Sequence, residues 1–236
     1  MSVAPVVLRI PALADDAGFV HGFSTMAIGS VGLTHAPDPV PVLASRRAFA
    51  RLLGIDMELT TAGAVHGTTV ARVDEPGDVV QRTDGLVTDR KGVALFATFA
   101  DCYPIVLWDP VHRALGLAHA GWRGTQAGIA GAVVETMARE YGSEPKDMRV
   151  GIGPGICGKC YEVGEDVASQ FDARFVTSGP DDRFLLDLAA ANRAQLEEAG
   201  VSEVHVLGLC TKESSVLPSH RGDPDGTRFG AIVALR

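Results

Sequence analysis

The sequence predicts an α+β fold, a single layered domain in which mixed β-sheets are flanked by helices. Several short runs of almost wholly apolar residues, bounded by turn residues, indicate strands buried at the centre of a sheet. Longer segments with apolar residues at helical spacing lie between and after these runs. No internal repeat or linker-like boundary divides the chain, so we expect one domain over residues 1–236.

The first half of the chain is expected to supply one helix and four strands. The helix covers residues 42–54, where Gly54 provides a stop signal. The first strand covers residues 62–73 and surrounds His66. The other strands are three apolar runs, at residues 93–100, 105–108 and 114–120.

The second half is expected to supply three helices and three strands. A helix over residues 125–141 begins with Thr125 as its N-cap and ends before Gly142. Two further helices are expected over residues 165–175 and 186–199. The remaining strands are expected at residues 149–152, 204–210 and 229–235.

Composition narrows the possible partners and the compartment. The formal net charge is −8, and no basic segment is interleaved with aromatic residues, which disfavours nucleic-acid binding. The N-terminal residues 1–9 lack a basic region followed by a long apolar run, so we expect neither a signal peptide nor a membrane span. Four cysteines without the spacing of a disulfide scaffold favour a cytoplasmic location.

The strongest candidates for chemistry are His66, Cys102 and His119. Two imidazoles and one thiolate can bind zinc and leave a fourth position open, as in a catalytic zinc site. Cys102 and His119 follow or end neighbouring apolar strands, which would bring their side chains together. The same residues could instead form a Cys–His nucleophile pair, or be ordinary core residues, and the spacing alone leaves these interpretations open.

Two neighbours of these residues extend the candidate site. Asp101, beside Cys102, could accept a proton or orient a histidine. His119 opens a glycine-rich turn over residues 119–125, where backbone amides and Arg123 could bind a phosphate. The helix expected after this turn would add its positive end.

The remaining cysteines are expected to be structural. Cys157 and Cys160 form a C-x-x-C pair, but no second such pair completes a zinc site and no thioredoxin-like start precedes it. We therefore expect two reduced cysteines in a turn. Cys210, at the end of an apolar segment, is expected to be a core residue.

Several motifs together resemble those of the YfiH-type laccase-domain family, also described as polyphenol oxidoreductase-like and linked with purine nucleoside phosphorolysis. The two most specific are Ala-Asp-Cys-Tyr-Pro at residues 100–104 and His-Ala-Gly-Trp-Arg-Gly at residues 119–124. The other matching stretches are residues 65–67, 84–89, 151–154, 161–163 and 210–211. The resemblance covers most of the chain from about residue 60 onward and implies the fold of that family, which is similar to that of a deamidating toxin.

The resemblance implies that His66, Cys102 and His119 bind the catalytic metal, zinc or alternatively copper. It further implies phosphorolysis of adenosine, inosine and methylthioadenosine, with some adenosine deamination, so that a purine nucleoside and phosphate are the expected small-molecule partners. We expect Asp101, Cys102 and His119 to be catalytic. The expected phosphate-binding residues are Arg46, Arg123 and Arg221.

The chain departs from the family pattern around the substrate. Met26 replaces an arginine, Ser45 an asparagine and Ala64 a glutamine, while residues 219–222 read Ser-His-Arg-Gly where the family has Ser-Tyr-Arg-Arg. Three other functions therefore stay open. They are a Cys–His hydrolase, a copper polyphenol oxidase and a protein that binds a metabolite without catalysis.

Overall fold

The computed structural model describes residues 6–34 and 36–236. Residues 1–5, part of the stretch in which no signal peptide is expected, and His35 lie outside the described residues. No helix in the described ranges is long and apolar enough to cross a membrane.

The chain forms fifteen strands and six helices over the described residues. In chain order the strands are β1 (Val7–Leu8), β2 (Phe19–Ser24), β3 (Leu59–Gly63), β4 (Val70–Arg72), β5 (Val79–Gln81), β6 (Gly85–Thr88), β7 (Ala94–Phe99), β8 (Tyr103–Asp109), β9 (Ala114–Ala120), β10 (Arg149–Ile152), β11 (Glu162–Val163), β12 (Val176–Ser178), β13 (Phe184–Leu186), β14 (Glu203–Val206) and β15 (Phe229–Leu235). The helices are α1 (Pro11–Ala14), α2 (Pro39–Leu52), α3 (Trp122–Gln126), α4 (Ile129–Tyr141), α5 (Glu165–Ala168) and α6 (Leu188–Glu198).

The strands form two six-stranded mixed sheets and one three-stranded sheet. The first sheet has the order β1-β2-β15-β7-β3-β5, and the second has the order β14-β10-β8-β9-β6-β4. Each contains both antiparallel and parallel pairs; in the first sheet, for example, β7 is antiparallel to β15 and parallel to β3. The small third sheet is β11-β13-β12.

The two large sheets pack face to face, with helices on their outer faces. Leu95 and Phe99 of β7 contact an apolar layer that includes Val106 and Trp108 of β8, which forms the core between the sheets. Phe96, on the opposite face of β7, packs in a cluster with residues of α2. Helices α4 and α6 cover the outer face of the second sheet. The predicted α+β arrangement of mixed sheets flanked by helices is confirmed.

The central strands are almost completely buried because both faces of each sheet are covered. All seven residues of β8, β9 and β15 are buried. This double burial explains their nearly continuous apolar sequences, since neither face of the strand contacts water. The strands predicted at residues 93–100, 105–108, 114–120, 149–152 and 229–235 are confirmed with small shifts at their ends.

The strand predicted over residues 62–73 is wrong at its centre. Strand β3 ends at Gly63, β4 begins at Val70, and His66 lies in the loop between them with φ at 63°. The buried carboxylate of Asp84 accepts hydrogen bonds from the amides of Val65, His66 and Gly67, which curls this segment. A strand would direct successive amides to opposite edges and could not make these contacts.

The helix predicted over residues 125–141 begins differently. Thr125 is not its N-cap, because it lies inside the short helix α3, where its hydroxyl shares hydrogen bonds with the side chain of Asn192. Gly128, with φ at 91°, separates α3 from α4. The end of the predicted helix is correct, since Gly142 adopts the left-handed C-cap conformation with φ at 72°.

Other predicted elements exist with different bounds. The helix at residues 42–54 is confirmed as α2, which begins earlier because Asp38 caps the amide of Val40. The helix at 186–199 is confirmed as α6. Residues 165–175 contain only the short α5 and a separate 3-10 turn, and the strand at 204–210 stops at Val206, so that Cys210 makes only an isolated bridge with Gly155.

Candidate metal centre

The structure brings His66, Cys102 and His119 together. One ligand atom from each residue lies within 4.8 Å of those of the other two. Cys102 and His119 are neighbours because β8 and β9 pair with Pro104 opposite His119. The expected meeting of these two residues across neighbouring strands is therefore observed. His66 reaches them from the β3–β4 loop, and it is the exposed member of the three.

The carboxylate of Asp84 joins two of the three candidate ligands. It accepts hydrogen bonds from the amides of Val65, His66 and Gly67 at 3.1, 2.8 and 2.8 Å, and its Oδ1 lies 3.2 Å from Nδ1 of His119. Burial alone would raise the pKa of Asp84, but its hydrogen bonds with His119, Gly67 and Val65 hold that pKa below the usual range. The ionised carboxylate thus fixes the His66 loop and the orientation of the His119 ring.

Two glycines of the turn at residues 119–124 let the backbone approach this cluster. A Cβ on Gly121 would lie 2.7 Å from Cδ2 of His66 and 2.9 Å from Sγ of Cys102. A Cβ on Gly124 would lie 3.0 Å from the carbonyl oxygen of Gly67. The glycine-rich sequence is therefore explained by close packing of this turn against the ligands, rather than by a phosphate site alone.

His119 is held on several sides. It is 5% exposed, its ring lies 5.3 Å from that of Phe99 and 4.9 Å from that of His66, and Nδ1 faces Asp84. Burial would lower the pKa of His119, but the charges and hydrogen bonds of Cys102 and Asp84 raise it to about 9. The bond to Asp84 leaves Nε2 available to the cluster.

The pKa of Cys102 is shifted in the opposite direction from that of His119. Burial would raise the pKa of its thiol, but the adjacent His119 and then His66 lower that pKa to about 6. A thiolate is therefore favoured beside the two imidazoles, which is the ionisation state that a metal ligand needs. The same pair, without metal, is a Cys–His ion pair of the kind that supports nucleophilic chemistry.

Asp101 precedes Cys102 in the sequence, but its carboxylate faces the segment that contains Arg221. Its carboxylate accepts hydrogen bonds from the hydroxyls of Thr211 and Ser219 at 2.6 and 2.7 Å, and from the amide of Arg221 at 2.6 Å. Across the part of the chain that the structure describes, these contacts involve no histidine, and Asp84 orients His119 instead. Asp101 therefore holds the segment that carries Arg221 against the strand that leads to Cys102.

The pKa of Tyr161 depends both on Cys102 and on two of the predicted arginines. Burial, followed by the charge of Cys102, raises the pKa of Tyr161 to about 12, while Arg221 and Arg123 act in the opposite direction. The guanidinium of Arg221 lies 5.1 Å from the centre of the Tyr161 ring, and that of Arg123 lies 4.4 Å from the ring of Trp122. Both arginines are exposed, and the charges of both act on Tyr161.

Arg46 is not brought to this cluster. Its guanidinium lies 4.7 Å from the ring of Phe96 and donates a hydrogen bond to the carbonyl of Val31 at 2.8 Å. Phe96 and Phe99 project from opposite faces of β7, and Phe99 is the residue that contacts His119. Arg46 therefore lies on the α2 side of the first sheet, where it lines a cavity of about 410 Å³.

Asp84 and Tyr161 are the site residues whose roles the sequence does not reveal. Both lie in motifs that match the family, at residues 84–89 and 161–163. A carboxylate directly before a buried strand is a usable signal for Asp84, because a buried charge requires hydrogen-bonding partners. Tyr161 has no such signal, since its proximity to Cys102 depends on the folding of residues 153–161 back toward β8.

The three ligands fit a zinc ion by their chemistry. One thiolate and two imidazoles are donors that zinc prefers, and three protein ligands leave a coordination position for substrate or water. Asp84 supplies the carboxylate contact that typically orients a metal-binding histidine. The exposed face of His66 gives access from solvent.

Comparison with known proteins supports this fold and identifies the family. The family model described as multi-copper polyphenol oxidoreductase laccase matches residues 20–236. The chain is 39% identical over 241 residues to the purine nucleoside phosphorylase of Deinococcus radiodurans, covering 97% of this chain and 92% of that protein. It is 36% identical to adenosine deaminase RL5 from an unidentified prokaryote, covering 72% of this chain and 71% of that protein. The crystal structure of the Bacillus licheniformis hypothetical protein YfiH superposes with a TM-score of 0.90 at 30% identity, covering 99% and 97% of the two chains.

The fold and site define a mixed α/β protein with a candidate Cys–His₂ ligand set, where the β3–β4 loop meets the start of β8 and the end of β9. The chain belongs to the multi-copper polyphenol oxidoreductase laccase family, whose YfiH member shares its fold. The family predicted from the sequence motifs is confirmed.

Proposed function

We propose that the protein is a zinc-dependent purine nucleoside phosphorylase acting on adenosine, inosine and methylthioadenosine. The observation that carries the proposal is the convergence of His66, Cys102 and His119, oriented by Asp84 and open on the side of His66. The names of the relatives in Deinococcus radiodurans and other bacteria support the reaction class.

The three ligands would hold the metal, and the surrounding residues would fix their geometry. Bound zinc supplies a Lewis acid that can polarise a substrate oxygen or water. Asp84 keeps Nδ1 of His119 in a fixed hydrogen bond, so Nε2 points toward the cluster. Gly121 allows His66 and Cys102 to lie side by side, because any side chain there would overlap both.

Arg123 and Arg221 are the proposed phosphate ligands. Both guanidinium groups are exposed, and both act on the electrostatic environment of Tyr161, which itself responds to the charge of Cys102. A dianionic phosphate between them would form charge-assisted hydrogen bonds. The contacts of Arg46 with Phe96 and Val31 support a structural role for Arg46 instead.

The bond changes of phosphorolysis indicate what Tyr161 and Asp101 would do. A phosphate oxygen forms a bond to C1′ of the ribose, the bond from C1′ to the purine nitrogen breaks, and the departing base takes up a proton. We propose that Tyr161, a phenol that is protonated at neutral pH and whose pKa burial and Cys102 raise further to about 12, donates a hydrogen bond to the substrate. We propose that Asp101 is a positioning residue that acts through the amide of Arg221.

Adenosine deamination is the proposed side activity. A relative named adenosine deaminase supports it, and the open coordination position is the feature that a hydrolytic attack on C6 of the purine would need. The expected products are inosine and ammonia.

The test is a product assay on the purified, zinc-loaded chain. With inosine and phosphate, the expected products are hypoxanthine and ribose 1-phosphate, and both should disappear in His119→Ala protein. Release of neither product from adenosine, inosine or methylthioadenosine would refute the proposal. Tight nucleoside binding without turnover would instead favour a metabolite-binding protein.

A Cys–His hydrolase is the second candidate, and the lowered pKa of Cys102 favours it. In metal-free protein, a thiol with a pKa of about 6 beside His119 is largely ionised at pH 7. Activity that survives zinc removal but is lost on alkylation of Cys102 by iodoacetamide would establish the hydrolase. We expect the reverse, with zinc protecting Cys102 from alkylation and chelation abolishing activity.

The geometry gives less support to a copper oxidase. The full reduction of dioxygen needs several copper ions, and within residues 6–34 and 36–236 the second candidate ligand group contains three cysteines and a glutamate but no histidine. Thiolate-rich groups of this kind suit zinc or Cu(I) rather than the imidazole sites of Cu(II). Copper in the site of His66, Cys102 and His119 alone would not supply the four electrons.

A further inference from the structure

A second group of metal-binding side chains lies outside the proposed active site. The sulfur atoms of Cys157, Cys160 and Cys210 and a carboxylate oxygen of Glu213 all lie within 4.8 Å of one another. Sγ of Cys157 is 3.9 Å from Oε2 of Glu213. None of the four cysteines is in a disulfide.

The four side chains come from two turns with the same spacing. Residues 157–160 read Cys-Gly-Lys-Cys, and residues 210–213 read Cys-Thr-Lys-Glu. Each turn therefore presents two potential ligands three residues apart with a lysine at its third position. A C-x-x-C pair combined with a second such turn is the arrangement of many structural zinc sites, and here a glutamate stands in place of the fourth cysteine.

Backbone amides point at the sulfurs in both turns. Sγ of Cys210 accepts hydrogen bonds from the amides of Cys157, Lys212 and Glu213, the first at 3.3 Å. The amide of Lys159 hydrogen-bonds to the sulfur of Cys157. Such N–H···S contacts favour thiolates and tune a bound metal. The amides therefore point at two of the three sulfurs, as they do around metal-bound thiolates.

We propose that Cys157, Cys160, Cys210 and Glu213 form a second, closed zinc site with a structural role. Ligand sulfurs around tetrahedral zinc are about 3.8 Å apart when each Zn–S bond is about 2.3 Å, so side-chain adjustments of about 1 Å close the present group onto an ion. Each thiol loses its proton to solvent on binding. Four protein ligands leave no open position, which distinguishes this site from the cluster of His66.

The charges near the group suit a divalent cation with four anionic ligands. Three thiolates and one carboxylate around Zn²⁺ leave an excess of two negative charges. Lys159 and Lys212, one in each turn, lie in the sequence positions that compensate them, and both are exposed. The ammonium groups can reach the outer side of the site while staying solvated.

A zinc ion at this site would link the turn at residues 157–160 to the turn at residues 210–213, and both turns adjoin residues of the proposed active site. The turns at residues 157–160 and 210–213 follow the paired strands β10 and β14, and beyond the ends of these strands the isolated bridge of Gly155 with Cys210 continues the pairing. Tyr161 directly follows Cys160, and Thr211, between Cys210 and Glu213, donates its hydroxyl to Asp101. Zinc bound here would therefore hold Tyr161 and the Asp101 contacts in place without touching the substrate.

Metal analysis of the full chain tests this proposal independently of enzymatic activity. We expect two zinc ions per chain in the wild-type protein, one in Cys102→Ala and one in the double variant Cys157→Ser/Cys160→Ser. The Cys102→Ala protein is the matched control, because it removes a cysteine ligand from the other cluster. A single zinc in the wild-type protein that is lost in Cys102→Ala would overturn the proposal.

Cobalt substitution identifies the ligands that remain. In Cys102→Ala protein we expect a strong thiolate-to-cobalt charge-transfer band and the d–d bands of tetrahedral coordination, because three thiolates bind the ion. Their absence would overturn the assignment even if some zinc were retained.

Substitutions of Glu213 test the site even if the cysteine variants fail to fold, because this side chain is exposed and its replacement should not disturb the core. Glu213→Gln should weaken zinc retention against a chelator by about tenfold or more, whereas Glu213→Cys should strengthen it by completing a four-thiolate site. Equal retention in wild type, Glu213→Gln and Glu213→Cys would exclude Glu213 as a ligand and refute the proposed site.

Discussion

The Asp84 carboxylate lies 3.2 Å from Nδ1 of His119 and accepts the backbone amide of His66 at 2.8 Å. One buried side chain thus sets the positions of two candidate ligands that are far apart in sequence. The third, Cys102, meets His119 through the register of β8 and β9. The geometry of the cluster therefore depends on one carboxylate and one strand pair, which can be perturbed separately.

Asp84→Asn should weaken zinc binding by about 10- to 100-fold, because the amide provides a weaker, uncharged partner for His119. The affinity is measured by competition with a chromogenic chelator. Asp109→Asn is the matched control. Asp109 is also fully buried and holds a histidine, His112, at 2.8 Å, but it lies at the opposite end of the β8–β9 hairpin. An equal loss of affinity in both variants would contradict the role given to Asp84.

Gly121→Ala should reduce zinc affinity by about tenfold or more, because the ligand set tolerates only small displacements. The new Cβ would lie 2.7 Å from His66 and 2.9 Å from Cys102. Gly131→Ala provides the control, since a Cβ there meets nothing within 4 Å and alanine should stabilise α4 by about 1 kcal/mol or less. Chelator competition and thermal unfolding separate the two effects. Unchanged zinc affinity in Gly121→Ala would count against the close packing described.

Arg221→Ala and Arg123→Ala should each raise the KM for phosphate by about tenfold or more, through loss of a charge-assisted hydrogen bond. The KM for inosine should change less. Arg46→Ala should leave both KM values unchanged and lower the melting temperature instead, because its guanidinium packs on Phe96 and binds the carbonyl of Val31. A phosphate effect in Arg46→Ala alone would reverse the assignment.

His21 should make the protein less stable as the pH falls from about 6.5 to 4. Burial, and then the charge of Arg9, lower its pKa from 6.5 to about 4, and its Nε2 accepts the amide of Ile10 at 2.9 Å. Neutral His21 therefore stabilises the folded state fully above its unfolded-state pKa of 6.5. About 3 kcal/mol of the free energy of unfolding is lost as the pH falls to the folded-state pKa.

Urea unfolding across this pH range measures the effect. His21→Gln keeps an acceptor for the amide of Ile10 but does not titrate, so its stability should vary less with pH between 6.5 and 4. The same slope in wild type and His21→Gln would show that other groups cause the loss.

The doubly buried strands can be predicted because their environment is simple. Strands β7, β8, β9 and β15 are covered on both faces, so their sequences are almost wholly apolar. Strand β2 escapes prediction although all six of its residues are buried, because His21, Gly22 and Ser24 interrupt the apolar pattern. His21 can be buried because its ring accepts a hydrogen bond from the amide of Ile10. The local sequence pattern does not predict this contact.

The candidate ligands can be predicted from motifs, but the contacts that arrange them cannot. The loop conformation of His66 depends on Asp84, 18 residues further along the chain. Likewise, the C-x-x-C pair looks incomplete in the sequence because its partners, Cys210 and Glu213, follow about 50 residues later and include a carboxylate. Family resemblance assigns Arg46 to the phosphate, whereas its contacts follow from the packing of α2 on the first sheet.

The central position of β15 has a consequence for the time at which the protein can fold. This strand lies between β2 and β7, and the amide of Gly230 bonds to the hydroxyl of Ser24 across a separation of 206 residues. During synthesis, β2 is therefore complete about 200 residues before its neighbour β15 exists. Such long-range pairing slows folding and leaves apolar strand edges exposed meanwhile. Folding of the first sheet should accordingly be the slow event in the maturation of this protein, even though both candidate metal clusters depend mainly on the second.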